Sequence, residues 1–289
     1  MGTAGAILPI VVKLRASAVP ALATGAYAAG IVAGSLVAAA VAIPLATARG
    51  GWRAPLAVFA VAAVVSLVAG LVLLPGDPPE VRSTGRPPRL PWANPTAWVL
   101  VGVFGAQSLL YYSAVSWLPA VYVERGWEIG DAGNLVAVMH LVGLVTGIGL
   151  PLVADRVGTR RTQLASVAAV TFGGFLGLVV LPDLGLLWAT VLGIGLGAIF
   201  PLVLTLPVDV ADGAAGVGAT AALMLLGGYV VSSVGPVGLG LLRDATGAYS
   251  VSLWLLVVLS GVLVLACLAL TPARLHRGVD RARGVIAAP

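Results

Sequence analysis

Charge is confined to short segments of this 289-residue chain, and long apolar stretches separate those segments. All eleven Asp and Glu and all sixteen Lys and Arg lie in the connections, and the one titratable group of note inside a stretch is His140. Hydrocarbon penalises charge and unpaired backbone amides alike, so only apolar helices cross it. The pattern therefore predicts an all-α integral membrane protein.

Composition excludes two other classes of protein. The chain is 60% hydrophobic and 9% charged, whereas soluble domains carry about 25% charged residues. The basic residues are scattered and form no single stripe, which argues against a nucleic-acid-binding domain. The single cysteine, Cys267, rules out an intrachain disulfide.

Eight stretches are long enough to span a bilayer, which takes about 20 helical residues. They cover residues 19–47, 54–74, 96–123, 132–154, 162–181, 185–206, 216–242 and 251–271. A ninth, residues 2–12, is about half a crossing and is interpreted as the end of a helix whose beginning is absent. The short loops predict that consecutive helices are antiparallel neighbours.

Basic residues set the orientation and the domain plan. With loop 155–161 in the cytoplasm, twelve of the sixteen Lys and Arg lie inside, and the C-terminus is cytoplasmic. Residues 75–95 contain seven prolines, which is typical of a stiff linker. The predicted parts are an incomplete N-terminal helical half (1–74), a cytoplasmic linker (75–95), a six-helix half (96–271) and an Arg-rich cytoplasmic tail (272–289).

Glycines four residues apart recur in the apolar stretches. Such pairs let helix backbones approach closely in lipid, and packing is the favoured interpretation of each pair. The pairs are Gly30 and Gly34, Gly143 and Gly147, Gly173 and Gly177, and Gly193 and Gly197.

The loop at 155–161 reads Asp155-Arg156-Val157-Gly158-Thr159-Arg160-Arg161. Gly158 permits a tight turn. Asp155 ends a helix, where the dipole disfavours an acid, so it requires a cationic partner. Arg156, Arg160 and Arg161 are the candidates for a clamp that holds one face of the bundle closed; the alternative is ordinary positive-inside charge. The loop resembles the Asp-Arg-x-Gly-Arg-Arg signature of the major facilitator superfamily, although Pro151 and Thr159 depart from the usual pattern.

Further motifs resemble the cyanate/nitroimidazole transporter branch of that superfamily. They are Thr24-Gly25-x-Tyr27, Pro44 with Gly51-Trp52, the run from Gln107 to Tyr112, Trp117-Leu118-Pro119, Gly235-Pro236, and the run from Arg243 to Gly247. The resemblance implies a twelve-helix bundle in two halves that works as a transporter. By that comparison the chain is truncated, lacking its first three helices and part of the fourth.

Polar residues inside the stretches are the candidate solute-binding residues. Gln107, Tyr111 and Tyr112 share one helical face with serines, and His140 lies eight residues into its own stretch. The polar face of a helix in lipid either lines a cavity or forms hydrogen bonds to a neighbouring helix, and both interpretations stay open. His140 is either a proton carrier or anion site, or a neutral imidazole bonded within the protein.

A second polar face lies on the 216–242 stretch. Tyr229 and Ser232 share it with Pro236, which removes a backbone hydrogen bond and is a candidate hinge. The alternative is a kink accommodated by packing. Tyr27 is the candidate from the incomplete half.

These features predict a secondary active transporter of a small polar or anionic solute, cyanate-like or nitroimidazole-like, that works by alternating access. Protons are candidate coupling ions, lipids and a missing N-terminal segment are expected partners, and the location is a bacterial cytoplasmic membrane. No metal or cofactor is expected. An inactive truncated remnant and a non-transporting membrane scaffold remain open. An intramembrane enzyme is disfavoured because the chain has no Gly-x-Ser-x-Gly or His-Glu-x-x-His motif and no paired carboxylates.

Overall fold

The computed structural model describes residues 53–73, 89–154 and 159–270, together with isolated positions between 30 and 51. Seven long helices lie in these ranges, and the described residues form no strand. All seven are long and apolar enough to cross a membrane, which confirms the all-α membrane fold. They are α1 (Arg53–Leu73), α2 (Pro95–Glu124), α3 (Ile129–Ala154), α4 (Arg160–Val180), α5 (Gly185–Val210), α6 (Gly213–Thr246) and α7 (Ser250–Ala269).

Several predicted segments lie outside the described residues. They are the segment 2–12, most of the stretch 19–47, most of the linker and the tail from residue 272. Within the described ranges, α5 and α6 are longer than predicted, reaching Val210 and covering Gly213–Thr246. Hydropathy marks only the part of a helix that sits in hydrocarbon, whereas backbone hydrogen bonding continues into the polar turns at the ends.

Local chemistry sets the helix ends. Asn94 Oδ1 accepts the Thr96 backbone N–H at 2.9 Å, and Pro95 occupies the first turn of α2, where its missing N–H costs nothing. Thr159 caps α4 in a capping box with Thr162. Gly247 ends α6 with φ of 76°, in the left-handed region that glycine adopts readily.

Helices α2 to α7 belong to one compact unit. The helix α1 falls in a separate unit, residues 31–88, and is apolar apart from Arg53 and Ser66. Within the six-helix unit the most extensive pairings are α2 with α6 and α3 with α5, followed by α4 with α7 and α4 with α5. The consecutive helices α2 and α3 are in contact, but each packs most extensively against a helix that does not follow it in sequence.

Glycines explain how closely α3 and α5 pack. A Cβ added to Gly197 would lie 2.2 Å from Gly143 Cα, and one added to Gly147 would lie 3.1 Å from the Gly197 oxygen. Thr146 Oγ1 bonds within its own helix and lies 3.4 Å from the Gly193 oxygen on α5. The packing interpretation is confirmed for the two glycine pairs of this interface.

The other two glycine pairs behave differently. Gly177 lies against the Trp188 ring, so a side chain would collide there. Gly173, Gly30 and Gly34 have no atom of the described structure within 4 Å of an added Cβ. The four-residue spacing alone thus did not distinguish interface glycines from those with space around them.

Candidate functional site

A hydrogen bond between α2 and α3 forms the centre of the candidate site. The Tyr111 hydroxyl lies 2.8 Å from His140 Nε2. The two rings meet edge to face, with centroids 5.9 Å apart and planes at 74°. Both side chains are half-buried. Residues 29 positions apart in the chain are thus brought together by the packing of two helices.

A second polar pair extends the site from α2 to α6. Tyr112 lies near Tyr229 of α6, and the Tyr112 ring lies 5.3 Å from the Tyr111 ring. On the far side, Phe104 meets Tyr229 at 5.2 Å and 88°, and Phe200 of α5 lies 6.4 Å from Phe104. The result is a row of aromatic rings contributed by α3, α2, α6 and α5.

The two phenylalanines of this row, Phe104 and Phe200, were not among the predicted site residues. Phe104 is fully buried and sets the orientation of the Tyr229 ring through its edge-to-face contact. In the sequence these residues are indistinguishable from other apolar side chains, because nothing local marks which apolar residue touches a polar site.

Two other predicted site residues are fixed by local bonds. Gln107 is 2% exposed, and its Oε1 accepts from Ser108 Oγ at 3.2 Å. Ser232 is also 2% exposed and donates to the Tyr229 carbonyl of its own helix at 3.0 Å. Tyr27 lies outside the described residues. The structure therefore brings together Tyr111, Tyr112, His140 and Tyr229, whereas the hydroxyl of Ser232 is occupied by its own backbone.

The site carries no fixed charge. Within the described parts of α2 to α7, acidic and basic side chains lie in the terminal turns, and the inner turns contain none. No group of three or more His, Cys, Asp or Glu lies close enough among the described residues to hold a metal ion. Three phenols and one imidazole can donate and accept hydrogen bonds and can pack against a flat solute.

Pro236, the predicted hinge, lies two turns beyond Tyr229 on α6. Its carbonyl accepts a hydrogen bond from Trp117 Nε1 at 2.9 Å, so α2 holds α6 directly at the proline. Ser113 Oγ is buried without a partner in the described structure, and a Cβ on Gly235 would lie 2.6 Å from it. The close approach of α2 to the Gly235-Pro236 step depends on that missing side chain.

A cluster at one end of the bundle joins α2, α6 and the start of α7. Arg243 Nη2 lies 3.5 Å from Glu124 Oε2, and the Tyr249 backbone N–H donates to Glu124 Oε1 at 3.4 Å. The Arg243 guanidinium also sits 5.6 Å from the centre of the Tyr249 ring. Glu124 and Tyr249 were not among the predicted functional residues; only the charge at the two helix ends hinted at the cluster.

The loop signature is partly described. Arg160 Nε donates to Asp209 Oδ2 at 3.2 Å, which ties the start of α4 to the end of α5. Arg161 Nε donates to the Leu268 carbonyl near the end of α7 at 2.6 Å. Asp155, Arg156 and Gly158 lie outside the described residues. The carboxylate seen against Arg160 is therefore Asp209, which the sequence pattern did not assign.

Comparison with known proteins places this geometry in context. The family model described as Major Facilitator Superfamily matches residues 1–236. The chain is 32% identical over 250 residues to the cyanate transport protein CynX of Escherichia coli (strain K12), covering 86% of this chain and 65% of that protein. It is 30% identical over 239 residues to a 2-nitroimidazole transporter of the same organism, covering 82% of this chain and 61% of the relative.

A third relative and one solved fold agree with these matches. The uncharacterized transporter YycB of Bacillus subtilis (strain 168) is 28% identical, with 87% of this chain and 63% of that protein covered. The chain thus spans slightly less than two thirds of the length of these relatives. In the fold comparison, the transporter FucP in its outward conformation superposes with a TM-score of 0.70 at 14% identity, covering 91% of this chain and 71% of FucP.

Proposed function

We propose a function for this chain from one premise: it belongs to the Major Facilitator Superfamily. It is a multi-pass membrane protein of that transporter family. Our proposal is that it acts as a secondary active transporter of a small polar or anionic solute, and not as an enzyme. The expected location is a bacterial cytoplasmic membrane with the C-terminus in the cytoplasm.

One observation carries the proposal. Tyr111, Tyr112, His140 and Tyr229 converge from three helices, and they are half-buried rather than sealed in the core. In transporters built from two repeated halves, the solute binds near the middle of the membrane, where the halves meet. Phenols and an imidazole suit a small anion or a polar heterocycle, and the names of two relatives, cyanate and 2-nitroimidazole transporters, describe such solutes.

The same proposal assigns parts to the mechanism. Residues 96–271 form one half of the transporter, residues 1–74 belong to the other, and residues 75–95 link them on the cytoplasmic side. Alternating access moves the halves around the bound solute, and α6 bends at Pro236. The ion pair between Arg160 and Asp209 supports the proposed cytoplasmic clamp, since it pairs one arginine of the loop signature with a carboxylate of α5.

Uptake by the purified chain in lipid vesicles tests the proposal. Vesicles containing the full chain should accumulate radiolabelled cyanate faster than empty vesicles, and excess 2-nitroimidazole should compete if both solutes share the site. His140→Gln and Tyr112→Phe should slow uptake at least several-fold.

Tyr122→Phe is the matched control for these variants. The Tyr122 hydroxyl bonds to the Pro182 carbonyl at 2.9 Å, at a helix end away from the row of rings. Uptake by Tyr122→Phe should stay near the wild-type rate. Equal loss of uptake in Tyr122→Phe and Tyr112→Phe would contradict the assigned site, and no uptake of either solute by the unaltered chain would contradict the proposed substrates.

A further inference from the structure

The contact between His140 and Tyr111 depends on which ring nitrogen carries the hydrogen of the neutral imidazole. Nε2 lies 2.8 Å from the Tyr111 hydroxyl. A neutral imidazole has one N–H donor and one acceptor nitrogen. With the hydrogen on Nδ1, Nε2 accepts and the Tyr111 hydroxyl donates to it.

This arrangement uses the only hydrogen that Tyr111 can donate. A phenol has one O–H, and in the neutral state it is directed at His140 rather than at a solute. When Nε2 gains a proton, it becomes a donor, so the Tyr111 oxygen accepts from it. The hydroxyl hydrogen must then rotate away and is free to donate elsewhere.

We propose that the neutral His140 ring carries its hydrogen on Nδ1, that His140 is the proton site of this transporter, and that its protonation turns the Tyr111 hydroxyl into a donor for the solute. A small weak-acid anion and one proton then bind together. This inference rests on the proposed transport function and on the same site. The proton comes from water, forms one N–H bond at Nε2 and is returned to water after release of the anion; no other bond forms or breaks.

The surroundings of His140 favour this coupling. From α2, Tyr111 faces it directly and Tyr112 stands behind Tyr111. α5 contributes no titratable group within its inner turns, since its one charged residue, Asp209, lies in its last turn, and Asp131 is the only charged residue of α3 in the described part of that helix. An imidazolium in such a setting requires a counter-charge, and the bound anion supplies it.

The coupling must be mutual. If the anion favours protonation of His140, then protonation favours anion binding by the same free energy. Above the pH at which His140 titrates, the affinity for an anion should fall by about tenfold per pH unit, because each binding event must then take a proton from solution.

Isothermal titration calorimetry of the full chain in detergent measures this proton directly. Cyanate is titrated at the same slightly alkaline pH into protein in phosphate and in Tris, whose heats of ionisation differ. The difference between the two binding heats gives the number of protons taken up. We expect about one proton per cyanate for the unaltered chain.

Three variants separate the roles of the two side chains. His140→Gln should bind cyanate at least about tenfold more weakly and take up no proton, whereas Tyr111→Phe should still take up a proton but bind about tenfold more weakly, because it lacks the donor. His276→Gln makes the same change at the other histidine of the chain and should match the unaltered protein.

The possible failures are distinguishable. Cyanate binding with equal heats in both buffers would overturn this inference and leave the transporter assignment standing. Proton uptake that survives in His140→Gln, or unchanged cyanate affinity in Tyr111→Phe, would also overturn this inference and leave the transporter assignment standing. No binding of cyanate by the unaltered chain would overturn the proposed solute class and this inference together.

Discussion

The glycine contact between α3 and α5 provides a quantitative test of the fold. In Gly197→Ala, the new Cβ would lie 2.2 Å from Gly143 Cα, 2.5 Å from its oxygen and 2.7 Å from its carbonyl carbon. All three atoms are backbone, so no side chain can rotate away. Ordinary van der Waals contact begins at 3.4 Å. Increasing the distance between the new Cβ and Gly143 Cα from 2.2 to 3.4 Å requires the helices to separate by about 1.2 Å.

That separation affects the whole interface. The close approach of Gly193 to the Met139 backbone and to Val142 Cβ would be lost, as would the approach of Gly147 to α5. Thr146 Oγ1 would also move out of reach of the Gly193 oxygen, which is already 3.4 Å away. Overpacking of this kind costs about 1–3 kcal/mol, and in lipid close van der Waals contact is the main force that joins helices.

Gly149→Ala on α3 is the matched control. It makes the same chemical change, but an added Cβ there meets nothing within 4 Å. The substitution should be neutral or slightly stabilising, because alanine is a better helix former than glycine by up to about 1 kcal/mol. Any general effect of replacing glycine in these helices appears equally in both variants.

Thermal unfolding of the purified chain in detergent provides the measurement. The midpoint of Gly197→Ala should fall several degrees below that of Gly149→Ala. A midpoint for Gly197→Ala that equals or exceeds the control would refute the reasoning, because it would mean that α3 and α5 do not meet at Gly143 and Gly197.

Three further outcomes follow from single contacts. Trp117→Phe keeps an aromatic side chain but replaces the indole with a smaller phenyl ring and removes the donor to the Pro236 carbonyl. The free energy of unfolding in detergent should therefore fall by at least about 1 kcal/mol; a Phe variant as stable as the unaltered chain would contradict that bond. The exposed pair of Arg160 and Asp209 should show a coupling of less than about 1 kcal/mol in a double-mutant cycle of Arg160→Gln and Asp209→Asn, and the coupling should shrink in high salt. Tyr112→Phe removes one phenol hydroxyl of the candidate site, and cyanate affinity measured by calorimetry should fall about tenfold; unchanged affinity would place the solute away from Tyr112.

Part of the site could be predicted because a polar residue in hydrocarbon is conspicuous in the sequence. Tyr111, Tyr112, His140 and Tyr229 stand out against apolar neighbours, and the structure brings them together. Ser232 stood out for the same reason, yet its hydroxyl bonds to its own helix. The sequence shows which groups need a hydrogen-bond partner, but it does not show whether that partner is one turn away or on another helix.

Phe104 and Trp117 illustrate the opposite case. Phe104 orients Tyr229, and Trp117 bonds to the Pro236 carbonyl. Neither contact has a local signal, because an apolar or aromatic residue is equally at home facing lipid or facing another helix. The glycines at 143 and 197 are intermediate, since their spacing indicated close packing without naming the partner helix.

The membrane-spanning character of the helices was determined by the sequence alone, because the transfer of each segment into lipid depends on the sum of its own side chains and backbone bonds. Tertiary structure decided which helices pair, that α2 lies against α6 and α3 against α5, and that His140 meets Tyr111. The physical reason is that lipid satisfies any apolar surface, so hydrophobicity does not choose between neighbours in a membrane. That choice depends on the fit of small residues and on a few interhelical hydrogen bonds, and these exist only once the helices are packed.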